Sequence, residues 1–104
     1  MAPETVPTPA LLSAKVKVPQ HVVYRSFPSE TVVLNLETGK YHGLNATAGR
    51  MLEALVQAPC VRDAAALLGD SYEQARSVIE QDLCTLCQSL LQRGLIETDD
   101  QPAA

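Results

Sequence analysis

No stretch of the chain approaches the ~20 apolar residues that a membrane span requires. Nor do Met1, Ala2, Pro3, Glu4 and Thr5 show the basic start and apolar run of a secretion signal. A cytoplasmic protein without membrane contact is expected. Positive charge is also in short supply, with eight Lys and Arg against twelve Asp and Glu and a net charge of −4. A mildly acidic surface argues against nucleic acid, whose phosphates require clustered cations. Cysteine is scarce and odd in number, at Cys60, Cys84 and Cys87, so reduced thiols are expected rather than a disulfide framework. Tryptophan is absent, although the hydrophobic fraction of 46% is ordinary for a globular protein. At 104 residues there is room for one compact domain with a single core, but not for a deep substrate cleft beside it.

Recognisable chemistry is lacking as well. No Ser/His/Asp set, glycine-rich phosphate loop or carboxylate pair stands out, and His21 and His42 fall in predicted strands with no nucleophile beside them. Neither catalysis nor a cofactor is expected. Cys84 and Cys87 have the spacing of a metal or redox pair, and on a helix their sulfurs stand one turn apart. A zinc site needs two further ligands, and Cys60, His21 and His42 offer no second paired motif. No metal site is therefore expected. Asn45, Ala46 and Thr47 spell a glycosylation acceptor, which reads as accidental without a secretion signal and with Asn45 suited to capping.

What is present is a run of strands followed by a run of helices. Residues 1–19 hold Pro3, Pro7, Pro9 and Pro19 among small and polar types and keep no period of two or 3.6, which predicts a flexible arm. From His21 to Phe27, β-branched and aromatic residues predict a first strand, closed by a turn at Pro28, Ser29 and Glu30. Thr31 to Leu36 alternates, with Val32, Leu34 and Leu36 on one face and Thr31 and Asn35 on the other. This predicts a half-buried second strand resting on the apolar face. Gly39 supplies the positive φ of a tight hairpin, and Lys40 to Leu44 returns as a third strand, completing an antiparallel meander.

Asn45 is suited to cap a helix in which Ala48, Met51, Leu52, Leu55 and Val56 recur at helical spacing before Pro59. A short second helix is predicted from Val61 to Leu68, stopped by Gly69. A long third helix is predicted from Ser71 to about Arg93, capped by Ser71 or Asp70 and stopped by Gly94. Leu95 and Ile96 are expected to pack back onto the core, and the acidic residues from Glu97 to fray into a flexible tail over 98–104. The predicted fold is α+β and winged helix-turn-helix-like, with a three-stranded antiparallel sheet followed by three helices over residues 20–97.

The run from Val32 to Arg50, joined to Val78 to Asp82 and Leu90 to Ile96, resembles the PqqD-like family. With the connecting helices the likeness spans residues 20 to 96. The resemblance implies a non-catalytic recognition element for ribosomally made, post-translationally modified peptides (a RiPP recognition element), in which the leader of a precursor peptide adds as a strand beside the third strand. The matching positions are Lys40, Tyr41, His42, Gly43 and Leu44, with the facing side of the third helix. It also implies a partner that modifies the peptide, such as a radical SAM protein or a lasso-type leader protease. The hairpin from Leu36 to Gly43 departs from the shorter, Pro-Glu-Gly-containing connection of the members that serve pyrroloquinoline quinone synthesis, and points to another peptide pathway.

The residues themselves are compatible with such a site. A third strand at the edge of a meander has unpaired amides and carbonyls that an extended peptide satisfies, while pockets supply choice. Apolar Ala75, Val78, Ile79, Leu83, Leu86, Cys87, Leu90 and Leu91 spread over about 220° of the third helix. One-sided packing needs a stripe only a little over about 100° wide. The surplus, Ile79 and Leu83 included, is expected to line a groove beside the third strand, with Arg76, one turn before Glu80, at its mouth to pair with an acidic leader residue. The plainer reading of the stripe is core packed on two sides, and His42 shares a strand face with core-facing Leu44. A winged-helix DNA binder is the alternative, since the second helix, turn and third helix have helix-turn-helix order. Its recognition helix, from Ser71 to Glu80, would carry one Arg against two Glu. An exposed edge and an arm also permit a homodimer by strand exchange.

Overall fold

The computed structural model describes residues 11–69 and 74–99. Within them the order is β1 (Lys15–Lys17), β2 (Val22–Ser26), β3 (Glu30–Asn35), β4 (Lys40–Asn45), α1 (Ala46–Gln57), α2 (Val61–Gly69), α3 (Arg76–Gln92) and β5 (Glu97–Asp99). The meander forms as expected. β2, β3 and β4 lie in that order in one antiparallel sheet, and the three helices follow. Gly39 turns the second hairpin at φ +74°, with its amide donating to the Asn35 carbonyl at 2.8 Å. Asn45 caps α1, its side-chain oxygen accepting from the Ala48 amide at 2.8 Å. Gly94, at φ +71°, ends α3, and the Leu95 amide bonds back to the Leu90 carbonyl at 2.9 Å, which turns Leu95 and Ile96 into the core.

Three expectations are corrected. The first concerns the arm expected over residues 1–19. Leu11, Ala14 and Val16 are buried, Leu11 at 0% and Val16 at 1% exposure. β1 pairs with β5 in a second, two-stranded sheet, Lys15 opposite Asp99 and Lys17 opposite Glu97. The Lys15 ammonium donates to the carbonyls of Val56 and Ala58 at 2.7 Å each, satisfying the open C-terminal end of α1. Lys17 forms an ion pair with Asp99. The same pairing corrects the frayed tail, because Glu97, Thr98 and Asp99 are β5. Residues 1–10 and 100–104, where the rest of the arm and tail was expected, lie outside the described residues.

The second correction is the face on which β3 rests. Thr31, Val33 and Asn35 point into the core, whereas Val32 and Leu34 are half-buried on the outward face and Leu36 is 57% exposed. Buried polar groups are tolerated only when hydrogen-bonded, and both are. Thr31 donates to the Ser26 hydroxyl at 3.2 Å, and the Asn35 side chain accepts from the amides of Glu37 and Thr38 at 2.9 and 3.3 Å. Thr31 packs against Gly49 of α1, where an added Cβ would stand 2.2 Å from the Thr31 hydroxyl oxygen. Glycine thus sets how closely α1 lies on the sheet. Gly49→Ala is expected to lower stability by at least about 1–3 kcal/mol through overpacking. An unchanged urea midpoint would contradict this close approach.

The third is the start of α3. The helix begins at Arg76, with Ala75 as N-cap and no side-chain cap bond. The expected caps, Asp70 and Ser71, lie outside the described residues. Its buried side chains are Ile79, Leu83, Cys84, Cys87 and Leu90, packed with Met51, Leu52 and Leu55 of α1 and with Val61, Ala64, Ala65 and Leu68 of α2 in one core.

Candidate functional site

β4 is an edge strand, paired only to β3 among the described residues. A strand in that position offers unpaired main-chain groups along its outer side. Its alternation sends Leu44 into the core and leaves His42 half-buried opposite Val33, while Lys40, Tyr41 and Gly43 are exposed, Tyr41 at 72%.

Beside the end of β4 lies a groove of about 370 Å³. One wall is Asn45, Thr47, Ala48 and Met51, from the close of β4 and the opening turns of α1. The other is Asp82, Thr85, Leu86 and Ser89 of α3. These four recur at spacings of three and four, so they form one stripe of the helix. Met51 is buried and Ala48 and Leu86 are half-buried, giving an apolar floor, while Thr47, Asp82 and Thr85 are exposed at the rim. Such a channel, apolar below and polar at its lips, suits an extended peptide with alternating side chains.

The residues expected on α3 do not form this wall. Ile79 and Leu83 are 2% and 0% exposed, in the core. Arg76 pairs with Glu80 at 3.5 Å and donates to the Arg62 carbonyl of α2 at 3.3 Å. At ~100° per residue, Glu80 points roughly opposite Asp82 and Ser89, away from the groove. Asp82, Thr85 and Ser89 escaped the sequence reading because polar residues at helical spacing look like a solvated face. Only their position beside Leu86 distinguishes them.

A second surface is exposed on the outward face of the sheet. Val23, Tyr24, Arg25, Phe27, Val32, Leu34 and Tyr41 border a depression of about 340 Å³. Val23, Leu34 and Tyr41 stand side by side across the three strands. Apolar patches of this kind on a small domain mark contact surfaces more often than isolated exposed residues do.

The cysteines have no comparable setting. Burial, with neighbouring Cys84 second, pushes the Cys87 thiol up to about 12, and burial followed by Glu80 raises Cys84 above its usual range. Both thiols are protonated at neutral pH, and the thiolate is the reactive form. Cys60 is partly exposed. Native protein treated with iodoacetamide at pH 8 is therefore expected to gain one adduct by mass spectrometry, at Cys60, and denatured protein three. Rapid native labelling of Cys87 would contradict its burial. Because the unfolded chain loses these protons first, near 9.0, stability is expected to fall as pH rises from there toward about 12. Among the described residues no group of three or more His, Cys, Asp or Glu is arranged to hold a metal ion, and no helix is long and apolar enough to cross a membrane.

An open strand edge with a peptide-sized groove beside it defines a small α+β recognition domain. Residues 30–96 match the family of coenzyme PQQ synthesis protein D, PqqD, and the chain belongs to that family. Two solved structures share its fold. TbiB1 in complex with the TbiA(beta) leader peptide is 28% identical with a TM-score of 0.71, over 78% of this chain and 94% of that one. Lasso peptide synthetase B1 complexed with the leader peptide is 26% identical with a TM-score of 0.72, over 81% and 99%. A search of curated proteins found no match.

Proposed function

We propose that this chain is a RiPP recognition element that binds the leader of a precursor peptide by strand addition at β4 and presents it, without catalysis of its own, to a modifying enzyme. The observation that carries this reading is the edge of β4, unpaired on its outer side among the described residues, running into an apolar-floored groove walled by α3. Main-chain bonds along Lys40 to Leu44 would supply sequence-independent affinity, and the groove would supply choice. Membership in the PqqD family and the likeness to two leader-bound proteins support it. Ile79 and Leu83 then act from beneath, anchoring α3 in the core, and Arg76, paired with Glu80 on the same helix, ties α3 to α2 through the Arg62 carbonyl. The modifying enzyme, a radical SAM maturase or a leader protease, would meet the outward apolar face, which a peptide in the groove leaves uncovered. This work belongs to the cytoplasm, where precursors are made. Strand exchange between two copies would compete with the leader for the same edge.

The test is a titration of isotopically labelled protein with synthetic leader segments of precursor peptides encoded beside its gene. Saturable amide shifts are expected at Lys40 to Leu44 and along Asp82 to Ser89. No saturable change with any of them, in folded monomeric protein, would sink this binding mode.

A further inference from the structure

We infer that the groove selects leaders carrying a Lys or Arg at the Asn45 end of β4, with Asp82 as the residue that sets this preference. The inference rests on the leader-binding reading and names the chemistry of the peptide. Among the described residues Asp82 is the only charged side chain lining the groove. It is exposed, and no ion pair or side-chain hydrogen bond engages it among the described residues. Neighbouring Glu80 points away and is already matched by Arg76. An unmatched carboxylate at the lip of an apolar channel favours a cation whose aliphatic stem can lie on Ala48, Met51 and Leu86 while its head reaches the rim.

A second carboxylate reinforces the polarity. Glu30 stands across from Asn45 in the β3–β4 register, and its Oε1 lies 3.9 Å from where a Cβ of Gly43 would be. It therefore covers the side-chain-free part of the edge strand, on the outward face. A peptide strand laid along β4 meets Asp82 from one of its faces and Glu30 from the other, both near the Asn45 end. The opposite end of β4 begins with exposed Lys40. This charge gradient fixes the direction in which the leader lies as well as its composition. The open amides at the start of α1 would oppose a cation, but Asn45 already occupies the Ala48 amide.

The experiment selects random 12-residue peptides displayed on phage against the immobilised full-length protein, its Asp82→Asn variant and its Glu30→Gln variant. Wild type is expected to enrich peptides with Lys or Arg at a fixed spacing from an apolar residue. Asp82→Asn is expected to keep the apolar residue and lose the basic one. For a single selected peptide its affinity should drop by about fivefold at most, the range of a solvent-exposed pair, and the difference should shrink in high salt. Glu30→Gln should weaken the preference less. Enriched peptides without a basic position, or a basic preference that survives Asp82→Asn, would overturn the inference while leaving peptide binding intact. Enrichment of nothing, with all three proteins folded by circular dichroism, would overturn the leader-binding reading with it.

Discussion

Deletion of residues 1–17 is expected to unfold the protein rather than trim it. Leu11 and Val16 are among the most deeply buried side chains, and Ala14 sits between them. At ~1.5–3 kcal/mol for each fully buried large apolar side chain, the first two contribute about 3–6 kcal/mol. The total stability of a domain this size is about 5–15 kcal/mol. Removing the segment also frees the carbonyls of Val56 and Ala58 that Lys15 satisfies, strips β5 of its partner, and takes away the Ala14 carbonyl that accepts from the Val61 amide at 3.1 Å. Thermal melts followed by circular dichroism should show loss of the cooperative transition, or a large fall in its midpoint. A truncated protein melting within a few degrees of the full chain would mean that the segment only rests on the surface.

Leu86→Arg is expected to weaken leader binding at least about tenfold, equivalent to about 1.4 kcal/mol, while leaving the fold intact. Leu86 is half-buried on the floor of the groove, so its replacement reaches solvent in the free protein. The guanidinium can pair with Asp82 one turn away, so a peptide seated over it would have to bury or displace that pair as well as lose the apolar floor. Val23→Ser serves as the comparison, because Val23 is exposed on β2, across the outward face from the groove. It is expected to change leader affinity by less than about twofold, in the range of ordinary surface substitutions. Titration calorimetry with the same leader segment distinguishes the two surfaces. If Val23→Ser is the damaging change and Leu86→Arg the neutral one, the peptide lies on the outward face.

Much of the fold was legible because its signals are local. Asn45, Gly39 and Gly94 each fix a boundary through a single backbone requirement, and the strand and helix periods on either side agree with them. The face of β3 was not legible. Val32, Leu34 and Leu36 form the more apolar set, yet the contact of Thr31 with Gly49 and the turn made by Asn35 place the other set inside. Both are properties of partners distant in sequence or of hydrogen bonds, which alternation does not encode. β1 was hidden for a related reason: three residues among prolines show no period, and the strand that defines it lies near the other end of the chain. The site divides along the same line. β4 could be read from the hairpin, whereas the wall on α3 depends on which side of a broadly apolar helix the core consumes. The core takes Ile79, Leu83 and Cys87, and the groove is left with the polar flank.

The pairing of β1 with β5 bears on how the protein is made. During synthesis the meander and the first two helices can assemble from contacts close in sequence, and such local contacts form early. The partner of Lys15 is Asp99, so the first strand has no strand partner until residues 97–99 have left the ribosome. Through that interval β1 is held only by α1 and the start of α2, through Lys15 on the Val56 and Ala58 carbonyls and the Ala14 carbonyl on the Val61 amide, and its open edge is the kind of surface that chaperones hold and that draws nascent chains into aggregates. β5 thus completes the second sheet, and a ribosome stalled shortly before it would carry a chain whose meander and edge strand can form but whose first strand lacks its strand partner.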